Sequence, residues 1–143
     1  MTKEYDQHKK LIDNLVKLNL KFRASVVDKI EGLGKYNFAM EYATVKCDIG
    51  RQVGKTTYIK EKLEKNKNAI VIVNSSNASL NYKSIKDQCL IFKGRDSLNA
   101  FNVPNLETIK TVYIDDASWN DKLELIYEVF TQDDIERTFV LLG

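Results

Sequence analysis

The sequence predicts an α/β fold in which a mostly parallel sheet is covered by helices on both faces. Short apolar, β-branched segments alternate along the chain with segments of helical periodicity, and this alternation is typical of parallel sheets. With 143 residues, 43% of them apolar, the chain is long enough to bury a core. Because a purely helical stretch precedes the alternation, we expect an N-terminal helical segment over residues 1–34 and an α/β domain over residues 35–143.

Composition excludes several classes of function. The 22 Lys and Arg residues nearly balance the 20 Asp and Glu residues, and a formal charge of +2 gives no overall field for nucleic acid. Cys47, Cys89 and His8 lie too far apart in sequence for a zinc or redox motif. We expect reduced thiols and a cytoplasmic location, in the host cytoplasm if the protein is viral. No apolar run approaches the ~18 residues of a membrane span, so no membrane partner is expected.

The N-terminal segment predicts two helices. Apolar residues recur at helical spacing over residues 4–20, and a shorter apolar face follows over residues 23–31. Gly32 and Gly34 are expected to end the second helix.

Five strands and three intervening helices are predicted after this segment. Residues 74–77 form a polar turn and residues 93–105 a long loop, while Ser118 and Asp121 form a capping box before the last helix. The predicted strands are residues 43–47, 69–73, 89–92, 111–114 and 138–142, and the predicted helices are residues 55–67, 80–86 and 123–130.

A glycine- and lysine-containing loop joins the first of these strands to the following helix. Unpaired amides at a helix start, with the positive end of its dipole, form an anion site. Gly54 would let the backbone close around a phosphate, Lys55 would reach the β- and γ-phosphates, and Thr56 would ligate Mg²⁺. A Gly-Lys-Thr triplet alone could begin an ordinary helix, but the strand before it and the helix after it favour phosphate binding. The residues of this loop and helix start that are expected to bind phosphate are Gly50, Arg51, Val53, Gly54, Lys55, Thr56 and Thr57.

A second motif lies where the fourth predicted strand ends in two carboxylates, Asp115 and Asp116. Mg²⁺ prefers hard oxygen ligands and keeps several waters, so a carboxylate at a strand tip suits it. We assign Asp115 to the Mg²⁺ shell through water, and Asp116 to orienting or deprotonating an attacking water. The alternative is a turn that begins with two aspartates.

With both motifs present, the chain from about residue 40 resembles the additional-strand, catalytic-glutamate division of P-loop NTPases. The loop resembles the Arg-Gln-x-Gly-Lys-Ser/Thr loop of phage terminase large subunits, the motors that package DNA into capsids. That variant tolerates loss of the first glycine, whose place Ile49 takes here. The resemblance implies ATP and Mg²⁺ as cofactors and a role for Lys55 and Asp116 in hydrolysis. It also implies that Gln52 contacts the nucleotide and that Arg51 acts on the γ-phosphate in cis, while a salt bridge or phosphate steering is the alternative for Arg51.

Some features depart from the terminase pattern. Asp116 stands where the family usually has glutamate. The short interval between the motifs and the sequence Ile-Asp-Asp are closer to replication-initiator and helicase-loader ATPases. The sequence stops at Gly143, where relatives place a polar sensor, so weak turnover by this chain alone is expected. A nucleotide-binding module without efficient turnover is therefore an alternative to a motor. The resemblance further implies DNA as a partner through a wider assembly, and an oligomeric ring or partner proteins.

Four further expectations concern residues outside these motifs. Residues 138–142 should lie beside the phosphate-loop strand. The polar face of that strand, with Lys46 and Asp48, should be covered by the helical segment or by the nucleotide. Residues 35–42 offer aromatic rings either to an adenine or to the core. Arg137 would act on a neighbouring subunit's nucleotide or form an ordinary surface pair.

Overall fold

A computed structural model of the protein describes residues 3–26, 32–48, 54–92, 105–115 and 123–143. Within these residues, five strands form one sheet and five α-helices and two 3₁₀ segments accompany it. The strands are β1 (Thr44–Cys47), β2 (Ala69–Val73), β3 (Cys89–Ile91), β4 (Thr111–Asp115) and β5 (Thr138–Leu142). The α-helices are α1 (Lys3–Val26), α2 (Lys35–Tyr42), α3 (Lys55–Lys65), α4 (Ser76–Ser79) and α5 (Leu123–Phe130), and the 3₁₀ segments are Leu80–Gln88 and Leu106–Thr108.

All strand pairs in this sheet are parallel, in the order β1-β5-β4-β2-β3. The predicted α/β fold with a parallel sheet is therefore confirmed. The last strand, β5, lies between β1 and β4, with Val140 opposite both Val45 and Tyr113. The expectation that the final strand lies beside the phosphate-loop strand is confirmed as well. Strands β2 and β5 are buried along their whole length because their sequences are apolar on both faces.

Side chains that alternate along the strands form two cores, one on each face of the sheet. Val112 and Ile114 face α2 and α5, whereas Tyr113 faces α1, α3 and the first 3₁₀ segment. The α5 side includes Ala39, Ile70, Ile72, Ile126, Phe130, Phe139 and Leu141, and the α3 side includes Ile12, Tyr58, Leu63, Val71, Val73, Tyr82 and Val140.

The N-terminal segment differs from its prediction, since one continuous helix, α1, covers Lys3–Val26. No glycine or proline separates the two predicted helices, so nothing interrupts the backbone hydrogen bonds. Arg23 continues the inner face of α1, where it is buried and contacts Glu136 at 3.0 Å. The rest of the predicted second helix, residues 27–31, lies outside the described residues.

Residues 35–42 form a helix, α2, that the sequence analysis did not predict. Gly34, expected to end a helix, instead precedes the first residue of α2 in extended conformation. The Tyr36 ring packs edge-on against Tyr127 of α5, at 6.1 Å between centroids, and Phe38 stacks on Tyr42. The aromatic rings of α2 therefore pack against α5 and against each other.

Lys46 and Asp48 were expected to be covered by the helical segment or by a nucleotide, and β1 is an edge strand of the sheet. Cys47 packs in the same cluster as Ile12 of α1, so α1 covers the face opposite to Lys46. Lys46 and Asp48 are both exposed. Charged side chains are tolerated on a strand at the edge of a sheet.

Arg137 was expected at the surface or on a neighbouring subunit's nucleotide, but it is 2% exposed. Its guanidinium donates to the carbonyls of Ile109, Phe130 and Leu106 and pairs with Asp133 at 2.7 Å. A planar group with several donors can satisfy such a cluster of carbonyls, whereas a lysine cannot. Arg137 therefore has a structural role at the amino end of β5.

Candidate phosphate and metal site

The carboxyl ends of the parallel strands meet at one edge of the sheet. Leu142 of β5 lies opposite both Cys47 of β1 and Asp115 of β4. Since α3 follows β1 after the loop, its first turn begins at this same edge. The two motifs predicted from the sequence therefore lie at the end of the sheet where parallel α/β proteins bind their ligands.

Gly54 begins α3 in a left-handed conformation with φ +86° and ψ +22°. Its carbonyl accepts the first helical hydrogen bond, from the Tyr58 amide at 2.8 Å. Glycine adopts this conformation without the strain that a side chain would add. Among the other predicted loop residues, Gly50, Arg51, Gln52 and Val53 lie outside the described residues.

The hydroxyl of Thr56 donates to Asp115, with 3.0 Å between Oγ1 and Oδ2. Asp115 is 6% exposed at the tip of β4, and Thr56 is half-buried in the first turn of α3. This contact joins two residues separated by 59 positions in the sequence. The hydroxyl and carboxylate that the sequence assigned separately to one Mg²⁺ ion are therefore neighbours.

Lys55 and Thr57 flank this contact and differ in their surroundings. Lys55 is half-buried beside Cys47, while Thr57 is exposed. Burial raises the pKa of the Cys47 thiol, and the nearby Lys55 ammonium opposes that rise. The Lys55 charge is therefore close to the end of β1, at the edge that carries Asp115. Asp116 lies outside the described residues.

Tyr82, which the sequence analysis did not identify, completes the described part of the site. Its hydroxyl donates to Asp115 Oδ2 at 2.5 Å, so one carboxylate oxygen accepts from both Tyr82 and Thr56. Tyr82 is 0% exposed and lies in the 3₁₀ segment Leu80–Gln88, where its φ of −118° and ψ of +25° break the helical geometry. A lone tyrosine between polar residues gives no periodic signal, so the sequence carried no sign of this contact.

The charge of Asp115 affects its buried neighbours. Burial raises the pKa of the Tyr82 hydroxyl, and the Asp115 carboxylate raises it further. Burial, with the same carboxylate, raises the pKa of the Cys89 thiol to about 11. Both groups therefore stay protonated at neutral pH, and Tyr82 remains a hydrogen-bond donor.

Helix α1 also reaches this site through Tyr5, which is 6% exposed. A β-carbon added to Gly54 would clash with Cδ2 of the Tyr5 ring. Burial, followed by the Glu61 carboxylate of α3, raises the pKa of Tyr5. The first turn of α1 thus packs directly on the residue that opens α3.

The described residues fit a magnesium ion that is shared with a nucleotide. Thr56 and Asp115 bring a hydroxyl and a carboxylate together, and both are hard oxygen donors. Among the residues that the structure covers, no group of three or more His, Cys, Asp or Glu side chains could hold a metal on its own. Two ligands fill only part of the coordination shell of Mg²⁺, which in nucleotide-binding proteins commonly keeps waters and takes oxygens of the bound phosphates.

In the part of the chain that the structure describes, no helix combines the length and the apolar composition needed to span a membrane.

Comparison with known protein families, with curated proteins and with solved structures finds no match to the chain.

Proposed function

We propose that the chain binds a nucleoside triphosphate, ATP or a close relative, together with Mg²⁺, and hydrolyses it. The observation that carries this proposal is the 3.0 Å hydrogen bond between Thr56 and Asp115. A hydroxyl at the start of a helix and a carboxylate at the tip of a neighbouring strand are the pair that a nucleotide-bound Mg²⁺ needs. They meet beside a left-handed glycine at the carboxyl edge of a parallel sheet.

Each residue has a separate task in this proposal. Lys55 and the amides of the first turn of α3 bind the phosphate oxygens. Thr56 and Asp115 would hold Mg²⁺, and the ion would supply positive charge that offsets the charge on the transferring phosphoryl group. Asp116 orients the attacking water and accepts its proton, and Arg51 contacts the γ-phosphate. The protein thereby contributes position and charge to phosphoryl transfer, which needs little covalent chemistry from the enzyme.

Strand order supports placing this ATPase in the additional-strand, catalytic-glutamate division, because β5 separates the phosphate-loop strand β1 from the acidic strand β4. The loop residues Arg51 and Gln52 support a motor of the phage terminase type within that division. In this proposal the domain over residues 35–143 drives DNA as part of a larger assembly, such as an oligomeric ring. A replication-initiator or helicase-loader ATPase is the alternative that the Ile-Asp-Asp sequence favours.

One experiment separates binding from hydrolysis by calorimetry and turnover assays on two variants. Lys55→Ala should weaken binding of Mg²⁺–ATP by at least about tenfold, or about 1.4 kcal/mol, because a charge-assisted phosphate contact is lost. Asp116→Asn should keep nucleotide affinity within about threefold and lower turnover by about a hundredfold, because it removes a base and retains the ligands.

Lys65→Ala is the matched control, since Lys65 is an exposed lysine on the same helix as Lys55. It should bind Mg²⁺–ATP as the parent protein does. Equal affinities for the parent protein and Lys55→Ala would remove the phosphate-site assignment. Turnover assays with and without double-stranded DNA then address the driven substrate, and stimulation by DNA is the result expected for a translocating motor.

A further inference from the structure

The hydroxyl of Tyr82 donates to the carboxylate that we assign to the metal. It reaches Asp115 Oδ2 at 2.5 Å, closer than Thr56 Oγ1 at 3.0 Å. Three oxygens from the crossover after β2, the tip of β4 and the first turn of α3 therefore form one cluster. Two donors on a single carboxylate oxygen restrict rotation of the carboxyl group about χ2, a torsion angle that otherwise takes a broad range of values in aspartate.

Packing alone does not require this hydroxyl. The Tyr82 ring lies in the core with Leu63, Val71 and Val73, and an unsubstituted ring would fill the same space. A buried hydroxyl lowers stability unless it is hydrogen-bonded. Here its acceptor is the buried carboxylate of the candidate site, and the local break in helical geometry at Tyr82 lets the side chain reach that acceptor.

We propose that Tyr82 is a positioning residue for the metal site, holding Asp115 in the orientation in which it receives the Mg²⁺ of the bound nucleotide. This inference rests on the proposed nucleotide binding and extends it to a residue outside both sequence motifs. Tyr82 acts through Asp115 and touches neither the nucleotide nor the ion. Tyr82 should therefore affect only the part of the nucleotide affinity that depends on Mg²⁺. The phosphate contacts that we assign to Lys55 do not involve Asp115.

The test is Tyr82→Phe, with a non-hydrolysable ATP analogue titrated by calorimetry in excess Mg²⁺ and in EDTA. The quantity compared is the ratio of the two dissociation constants, which measures how much Mg²⁺ improves binding. Tyr82→Phe should reduce this ratio by about fivefold to tenfold, the net effect of one ordinary hydrogen bond. Affinity in EDTA should stay unchanged. A misfolded fraction would lower the binding stoichiometry and leave the ratio unaltered.

Tyr113→Phe is the matched control. Tyr113 is also buried on the α3 side of the sheet, and its ring packs edge-on against Tyr58 at 6.3 Å. This variant should keep the parent ratio, and thermal unfolding of both variants reports any loss of stability.

Each other outcome overturns the inference in a recognisable way. If the parent protein binds the analogue with Mg²⁺ and Tyr82→Phe keeps the same ratio, Tyr82 does not position Asp115, while the proposed function stands. If Tyr82→Phe weakens binding equally with Mg²⁺ and in EDTA, the hydroxyl supports the fold in general. If the parent protein binds no nucleotide, the proposed function fails and the inference fails with it.

Discussion

Gly54 is the residue at which the start of helix α3 meets helix α1. Its φ of +86° is unfavourable for any residue with a side chain, and the Tyr5 ring occupies the space that a β-carbon would need. Backbone conformation and packing therefore both require glycine here. Gly32 provides a comparison, since its φ is +85° but nothing lies within 4 Å of an added β-carbon.

We predict that Gly54→Ala lowers the free energy of unfolding more than Gly32→Ala does. The positive φ alone should lower it by about 1 kcal/mol at either position. The clash with Tyr5 should add about 1–3 kcal/mol at Gly54. Urea unfolding of both variants measures the difference.

Removing the ring provides the control for this prediction. In a Tyr5→Ala background, Gly54→Ala should lower stability no more than Gly32→Ala does in the parent protein. Equal effects of the two glycine variants in the parent protein would show that Tyr5 does not pack on the loop.

The sequence identified those residues of the candidate site that belong to a local motif. It did not identify the residues that only the fold brings to the site. Thr56 and Asp115 follow from a glycine-lysine-threonine triplet and from two carboxylates after an apolar strand. Tyr82 and Tyr5 contact the same site from a crossover and from a distant helix. Their roles depend on strand order and helix packing, which no local spacing encodes.

At the scale of elements, α1 is attached to α3 by polar contacts as well as by its apolar face. Asp13 accepts a hydrogen bond from Tyr58 and pairs with Lys62, each at 2.8 Å, and Lys9 pairs with Glu61 at 3.4 Å. Burial opposes ionisation of Asp13, but Lys62 and Tyr58 together lower its pKa below the ordinary value of 3.8. Folding therefore favours the charged carboxylate.

We predict that Asp13→Asn lowers the free energy of unfolding by about 1 kcal/mol at neutral pH. Because the folded pKa is depressed, the contribution of Asp13 is fully present above its unfolded pKa and is lost as pH falls through the folded value. The difference between parent and variant should therefore shrink as pH falls below about 4. Urea unfolding across this range measures it.

Asp6→Asn is the control, since Asp6 is an exposed carboxylate on the same helix. Its effect should be small at every pH. A difference between parent and Asp13→Asn that stays constant down to the lowest pH would contradict the role of the Asp13 charge.

The elements themselves were predictable to different degrees. The five strands follow from apolar, β-branched runs, and β2 and β5 begin and end at the predicted residues. Helix α1 was predicted as two helices, although no glycine or proline separates them, and helix α2 was missed because Gly32 and Gly34 suggested a helix end. The edge position of β1 depends on pairing between distant segments.

Across the whole molecule, the two ends of the parallel strands have different roles: the amino edge is where the strands begin, and the carboxyl edge is where they end. At the amino edge, buried Arg137 binds three backbone carbonyls and Asp133, and Arg23 of α1 donates to the Arg137 carbonyl at 3.4 Å. That edge is closed by structural hydrogen bonds. At the carboxyl edge, Lys55, Thr56 and Asp115 bring charge and hydroxyl groups together at the start of α3. This polarity predicts where a metal–nucleotide complex binds.

The measurement that tests this most directly is amide NMR of the protein with ATP and Mn²⁺, a paramagnetic ion that takes oxygen ligands like those of Mg²⁺. Broadening falls steeply with distance from the ion, and a five-residue strand spans about 13 Å. Signals of Lys55, Thr56 and Asp115 should broaden first, and those of Thr111 and Thr138 at the opposite ends of β4 and β5 should broaden last. Broadening that is equal at both edges, or strongest at Thr111 and Thr138, would contradict the assignment of the phosphate and metal site.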